Sequence, residues 1–294
     1  MAAAGFGACL GRADAAERAR AGRGCATVRD RPAAVHPMPP FSIDARKAWN
    51  TGADAFIHFI ESGADYYRLL VHGPGLLAAC GPVQGLRALD LGCGQGYFSR
   101  LLAEQGATVT GVDLAEKLVA RAQQLEAARP LGITYVAMDA ARLDARFQAE
   151  SFELVTSCMA VHDMGEPLQA LATAHRLLVP TGRFLFSIPH PCTNLPLRDW
   201  QRDLRGRKVA LCLDRYFDSG PAITEWDMPK LRYAWQTPFH RHTLTEWSLM
   251  VRRAGFVIRS LAEPRPSRAL VAEHPELDDC ARMPYFLVFE LAKA

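Results

Sequence analysis

The residues best suited to chemistry lie in one segment, Leu89-Asp90-Leu91-Gly92-Cys93-Gly94-Gln95-Gly96-Tyr97. Three alternate glycines follow a short apolar strand and open a helix. Glycine tolerates positive φ and lets a backbone approach a ligand closely. A helix N-terminus adds unpaired N–H groups. The spacing departs from the GxGxxG of dinucleotide sites, and Asp90 stands two residues before the first glycine. A carboxylate there conflicts with a pyrophosphate and suits a ligand bearing an ammonium group. Asp113 ends the next strand, where a carboxylate can accept both hydroxyls of a ribose. Asp139 follows the third strand in Ala137-Met138-Asp139-Ala140. It can accept from an exocyclic amine or cap the turn after it.

An ammonium-bearing tail, a ribose and an adenine in that order describe S-adenosylmethionine. On these residues the sequence resembles the class I S-adenosylmethionine-dependent methyltransferases, over about residues 43–292 and most specifically over 86–189. The resemblance implies a methionine-binding loop of Asp90, Gly92, Gly94 and Gly96. It makes Asp113 the ribose acid, sets Leu114 beside the adenine, and gives Met138 and Asp139 to the adenine. Cys158-Met159-Ala160-Val161-His162 then borders the methyl group, and Leu178-Val179-Pro180-Thr181-Gly182-Arg183 is the turn before the fifth strand.

Methyl transfer from a sulfonium is an in-line displacement, so the protein must position a nucleophile and remove its proton. Histidine is the natural base near neutral pH. His162 follows the fourth strand, His190 the fifth, and His240 and His242 close a later segment. His162 and His190 are the two candidate catalytic bases, with Asp163 able to orient a neighbour. No Asn/Asp-Pro-Pro-Tyr tetrapeptide follows the fourth strand, which argues against methylation of adenine or glutamine amines. Pro191-Cys192 lies after the wrong strand for a cytosine-type nucleophile. Trp49, Tyr66, Tyr67, Tyr216, Trp226 and His240 are candidate acceptor contacts, because aromatics with a few polar groups suit a planar small molecule. The expected acceptor is small and aromatic or polycyclic, methylated on O, N or C.

The elements that must position these groups alternate strand and helix from residue 86 to 188. That pattern predicts an α/β fold: a doubly wound, mostly parallel seven-stranded sheet. Residues 41–294 form the domain. A helical lid is expected over 41–80, with Gly73-Pro74-Gly75 breaking its second helical piece. A second lid, read as a loop-rich insertion, is expected over 189–242, which holds six prolines and three tryptophans. Thr243-x-x-Glu246 predicts a capped helix.

Composition excludes several classes. The chain has 294 residues, 49% apolar and 22% charged, as in a globular protein rather than a fibre or disordered chain. The net charge of +3 comes from six arginines and three acids in residues 1–40, an Ala/Gly/Arg-rich leader predicted to be disordered. It is read as an extension before a natural start at Met38, or as an organelle-targeting segment. The neutral body disfavours nucleic-acid and membrane partners. Eight scattered cysteines without CxxC spacing predict no metal, and reduced thiols in a cytoplasmic protein. Arg198, Arg202 and Arg205 recur at helical spacing before Arg207 and Lys208. They read as a solvated helix face or as a clamp for an anionic acceptor. Two rival functions stay open: an RNA methyltransferase using that run, and a non-catalytic cofactor-binding partner module.

Overall fold

The computed structural model describes residues 43–228 and 233–294. The expected disordered leader lies outside the described residues. The strands are β1 (Arg87–Leu91), β2 (Thr108–Asp113), β3 (Thr134–Ala137), β4 (Phe152–Cys158), β5 (Leu178–Pro189), β10 (Phe256–Ala262) and β11 (Phe286–Lys293). They form one seven-stranded sheet in the order β10-β11-β5-β4-β1-β2-β3. Strands β1 to β5 pair in parallel, and β11 runs antiparallel to both β5 and β10. Four of the five residues of β1 are buried, the near-continuous apolar run of a strand covered on both faces. Helices α3 (Tyr97–Glu104), α4 (Glu116–Ala128) and α5 (Pro167–Leu177) make the crossovers. One core holds Phe184, Phe186, Trp247 and Phe256. The other holds Leu76, Leu102, Val109 and Val288. The winding reverses between β1 and β4, so a crevice opens at their carboxyl ends.

The lid differs from its sequence expectation in three places. Gly73-Pro74-Gly75 does not stop the chain. A π-helical turn, Arg68–His72, runs directly into helix α2 (Gly73–Cys80), with Pro74 in its first turn. Proline is tolerated there because that N–H has no helical partner. Gly73 is needed for close approach, since a Cβ would sit 2.4 Å from the Tyr97 hydroxyl.

Residues 197–228 and 233–241 are not loop-rich. They form two antiparallel ribbons, β6 (Leu197–Arg202) with β7 (Lys208–Asp214), and β8 (Gly220–Met228) with β9 (Tyr233–Arg241). Prolines 221 and 238 fit because each ribbon has two free edges.

The basic run is therefore a strand–turn–strand, not a helix face. Arg198 lies 4.2 Å over the Tyr285 ring, Arg207 pairs with Asp203, and Lys208 pairs with Asp279. None of its residues reaches the cavities described below, so the anion-clamp reading finds no geometric support. The capping box is formed as expected: Thr243 and Glu246 bond reciprocally at the start of α6 (Leu244–Arg253).

Helix α1 (Ala45–Glu61) and the β8–β9 ribbon close over the crevice together. The Trp235 ring fills the notch left by Gly52, where a Cβ would come within 2.2 Å of its Nε1. Trp235 stacks on Trp226 at 5.0 Å, and Trp226 meets Trp49 and Phe56 edge-on at 5.9 and 5.7 Å. Such pairs contribute roughly 0.5–1.5 kcal/mol each beyond their burial. Gly52→Ala is therefore expected to lower stability by about 1–3 kcal/mol through overpacking. Thermal unfolding checks this, and an unchanged Tm would show that the lid is not held here.

Candidate active site

The crevice is a cleft of about 350 Å³ at the carboxyl ends of β1, β2 and β4. Its glycine loop is fixed from both sides. Gly92, Gly94 and Gly96 all have positive φ, at 69°, 57° and 91°. A Cβ on Gly92 would meet Ala160 at 2.3 Å, and one on Gly96 would meet the Tyr135 hydroxyl at 2.4 Å. A Cβ on Gly94 would meet only Phe56, at 3.9 Å. That backbone is bare toward the cleft, a cradle that a side chain would occupy.

Asp113 ties the loop to the neighbouring strand. Its Oδ2 accepts from the Gly94 N–H and its Oδ1 from the Ala115 N–H, each at 2.8 Å. Each oxygen keeps a lone pair for a ligand hydroxyl. Asp90 is fully buried on the cleft floor, accepting from the Ser99 hydroxyl at 2.7 Å and from Thr156 at 2.9 Å. Burial pushes its carboxyl up to about 6, against the opposing pull of those two bonds. Asp139 accepts from the Ala141 N–H at 2.9 Å, so it caps the next turn while lining the cleft. Leu114, Met138 and Cys158 also line it. Gly96 does not line the cleft; it sits behind the loop against Tyr135.

The methyltransferase domain family matches residues 89–186, the span holding this loop and its acids. An S-adenosylmethionine-dependent methyltransferase of Mesorhizobium loti is 34% identical with a TM-score of 0.62, covering 74% of this chain and 95% of that one. This chain is a class I S-adenosylmethionine-dependent methyltransferase. A methyltransferase of Burkholderia thailandensis shares the fold at 20% identity and a TM-score of 0.52, covering 88% of this chain and 94% of that one; it was solved with 1,6-didemethyltoxoflavin and S-adenosylhomocysteine. A ubiquinone biosynthesis O-methyltransferase of Paracidovorax citrulli is 37% identical over 115 residues. That match covers 38% of this chain and 48% of the relative, so the chain spans about half of that relative's length.

Arg68 lies in a segment, Asp65-Tyr66-Tyr67-Arg68, that resembles small-molecule methyltransferases, but it was not among the sequence candidates for the site. It opens the π-helical turn, and Asp65 holds it in a fixed pose. Its backbone N–H donates to Asp65 Oδ1 at 3.1 Å and its Nε to Oδ2 at 2.8 Å. The pair is almost fully buried, and Arg68 lines the cleft. The i, i+3 spacing of Asp65 and Arg68 was the one available signal. Arg68 supplies what the glycine loop lacks, a cation able to hold a ligand carboxylate. The cleft thus brings three carboxylates, Asp90, Asp113 and Asp139, and the Arg68 cation to one space.

Beside the cleft lies a smaller chamber of about 70 Å³. Trp49, Phe56, Arg68, Met159 and Asp163 line both spaces. Trp226, Phe239, His72, His162 and Asn194 line the chamber alone. His162 Nε2 lies 3.4 Å from Asp163 Oδ1. Its Nδ1 is buried without a hydrogen-bond partner among the described residues. Burial, with help from His240 and Arg68, holds the His162 pKa down near 3. Burial also drives Asp163 well above the carboxylate range. The thiol of Cys158, 3.7 Å from His72 Nδ1, is pushed up to about 12 by burial and stays a thiol.

The other sequence candidates are placed elsewhere. His190 accepts the Cys192 N–H on Nδ1 at 3.1 Å, so its Nε2 carries the proton and donates to Glu263 at 3.1 Å. Nδ1 is committed to the turn after β5 and Nε2 to Glu263 just past β10, and the ring lines neither cavity. Tyr67 donates to Asp279 at 2.8 Å, with Tyr66 packed against its ring at 4.5 Å. The Tyr216 hydroxyl accepts the Leu244 N–H at 3.0 Å. His240 stacks on His242 at 5.7 Å. None of these four lines either cavity.

Two outcomes follow for the cofactor. Gly94→Val should abolish S-adenosylhomocysteine binding by calorimetry while circular dichroism stays native. Second, Asp90 titrates near 6 when folded and near ~4 when unfolded. Its ionised form therefore costs stability at neutral pH, and acidification between those values relieves the ligand-free protein. A cationic ligand favours the ionised form. Affinity should fall about tenfold per pH unit below 6. Affinity flat from pH 7 to 5 would separate Asp90 from the ligand's charge.

Proposed function

We propose that this methyltransferase transfers a methyl group from S-adenosylmethionine to a protic O–H or N–H of a small aromatic acceptor seated in the His162 chamber. The observation carrying this reading is the unpartnered, buried Nδ1 of His162 beside the cofactor cleft. Aromatic walls from Trp49, Phe56, Trp226 and Phe239 support a planar acceptor. The curated relative that acts in ubiquinone biosynthesis is an O-methyltransferase, which agrees with a protic ring substituent.

Bound in the cleft, the cofactor supplies a methyl group on a sulfonium. This chain's residues do the rest. Asp113 and Asp139 would hold the nucleoside end, and the glycine loop with Asp90 and Arg68 the amino-acid end. The aromatic walls orient the acceptor ring and exclude water, and fixing a reactive geometry can account for roughly 7–11 kcal/mol of barrier. His162 Nδ1 takes the acceptor's proton, with Asp163 on its far nitrogen setting the ring's orientation. A depressed pKa makes His162 a weak base that stays unprotonated and ready.

His162→Gln should lower kcat by roughly 10–10²-fold, the low end for a placed base because a pKa held near 3 weakens its pull on the proton, with little change in cofactor affinity. His190→Gln should leave kcat near wild type and lower Tm, since it breaks a turn and not a proton path. At saturating cofactor, wild-type kcat should stay flat from pH 8 to about 5, because His162 is unprotonated well above 3. A fall in rate through pH 6–7 would assign the proton to an imidazole of ordinary pKa instead.

A further inference from the structure

The His162 chamber holds more polar groups than proton removal requires. His162 contributes one, its buried Nδ1 without a hydrogen-bond partner among the described residues. Asn194 and Thr224 line the same space. The Asn194 carboxamide and the Thr224 hydroxyl enter no hydrogen bond among the described residues. Neither residue lines the cofactor cleft, so neither is accounted for by the cofactor.

Both come from segments with little freedom. Asn194 ends the turn after β5. Its N–H and that of Thr193 donate to the His190 carbonyl, at 2.9 and 3.0 Å. The His190 N–H donates to the Tyr285 carbonyl at 2.8 Å, and the Thr193 hydroxyl to the Pro284 carbonyl at 2.5 Å. The His190 ring is bound to the Cys192 N–H and to Glu263. Every polar atom of His190 is thus engaged, and this histidine is the hub of the turn that carries Asn194. Thr224 is buried in β8, opposite Thr237 of β9. The Trp226 ring N–H donates to the Thr237 hydroxyl at 2.9 Å, which fixes that rung of the ribbon.

An acceptor that covered these groups with apolar surface would leave them unpaired, which is costly. A site built to hydrogen-bond a substrate group strongly rejects the analogue that lacks it. Each of the two side chains offers both a donor and an acceptor.

We infer that Asn194, together with Thr224, is a specificity-determining residue that binds a second hydrogen-bonding atom of the acceptor, next to the one methylated. This rests on the proposed function and adds a recognition point to it, with the methylated atom an O–H or N–H as before. In a space of about 70 Å³ the two atoms belong to one small head, on neighbouring positions of the acceptor. Asn194 and Thr224 exchange no proton or electron pair with it; His162 alone takes the proton. His190 is a positioning residue, acting through Asn194.

The full chain, labelled S-adenosylmethionine and two near-isosteric pairs test this. Guaiacol and 2-ethylphenol differ by a methoxy oxygen against a methylene, and 2-methoxyaniline and 2-ethylaniline repeat the difference on an amine. In at least one pair the methoxy compound should exceed its ethyl partner about tenfold or more in kcat/KM. Asn194→Leu should bring that ratio near one, while S-adenosylhomocysteine affinity by calorimetry stays at wild type. His190→Gln should raise KM for the methoxy compound and leave kcat near wild type; an unchanged KM overturns its positioning role. Equal kcat/KM within both pairs, or a preference that survives Asn194→Leu, overturns the inference and leaves the small-aromatic reading intact. Loss of S-adenosylhomocysteine binding in Asn194→Leu also overturns it, since the residue then serves the fold. Label on none of the four compounds overturns the inference. Label then recovered from a cell extract on an aliphatic or macromolecular acceptor overturns the wider reading as well.

Discussion

The carboxylate of Asp113 is the joint on which the site depends. It accepts one amide from the glycine loop after β1 and one from the start of α4. These bonds hold two chain segments from adjacent strands at fixed separation. Burial raises its pKa, and the two amide bonds work against that rise. The loop is thus already shaped in the ligand-free fold. Ala160 and Tyr135, pressed against Gly92 and Gly96, leave it no alternative path. A site arranged before binding loses less entropy on binding.

The lid depends on this base in turn. Arg46 and Asn50 of α1 both bond Glu116 at the head of α4, and Arg121 of α4 bonds Glu61. These are exposed or half-exposed pairs, and such pairs typically contribute ~0–1 kcal/mol. The aromatic packing of Trp49, Phe56, Trp226 and Trp235 therefore carries the docking of α1 and the β8–β9 ribbon. Trp49 and Phe56 line the cleft and the His162 chamber alike, so the two spaces share one wall.

What was legible in sequence was what is local. A strand, an acid, three alternate glycines and a helix sit within nine residues, and the acids after β2 and β3 fall at strand ends. Periodicity located the parallel strands for the same reason. The lid was misread where tertiary contacts decide. Prolines suggested loop across 189–242, because nothing local reveals two ribbons with free edges. The arginines after 197 matched helical spacing by coincidence, while Tyr285 beneath Arg198 and Trp200 beneath Lys208 organise the run. His162 and His190 were indistinguishable, each following a strand. Only their partners separate them: one has a free nitrogen at the chamber, the other has none. Arg68 was invisible because its role depends on where a helical turn points.

That turn is π-helical. A π-turn carries one residue more than the α-helical turn it replaces. Each residue of an ordinary helix rotates the next by about 100°. An extra residue in an unbroken α-helix would swing everything upstream by that angle, and with it Arg68 and its Asp65 brace. The wide turn spends the added residue within a single revolution, so the helix on either side keeps its facing and Arg68 still lines the crevice.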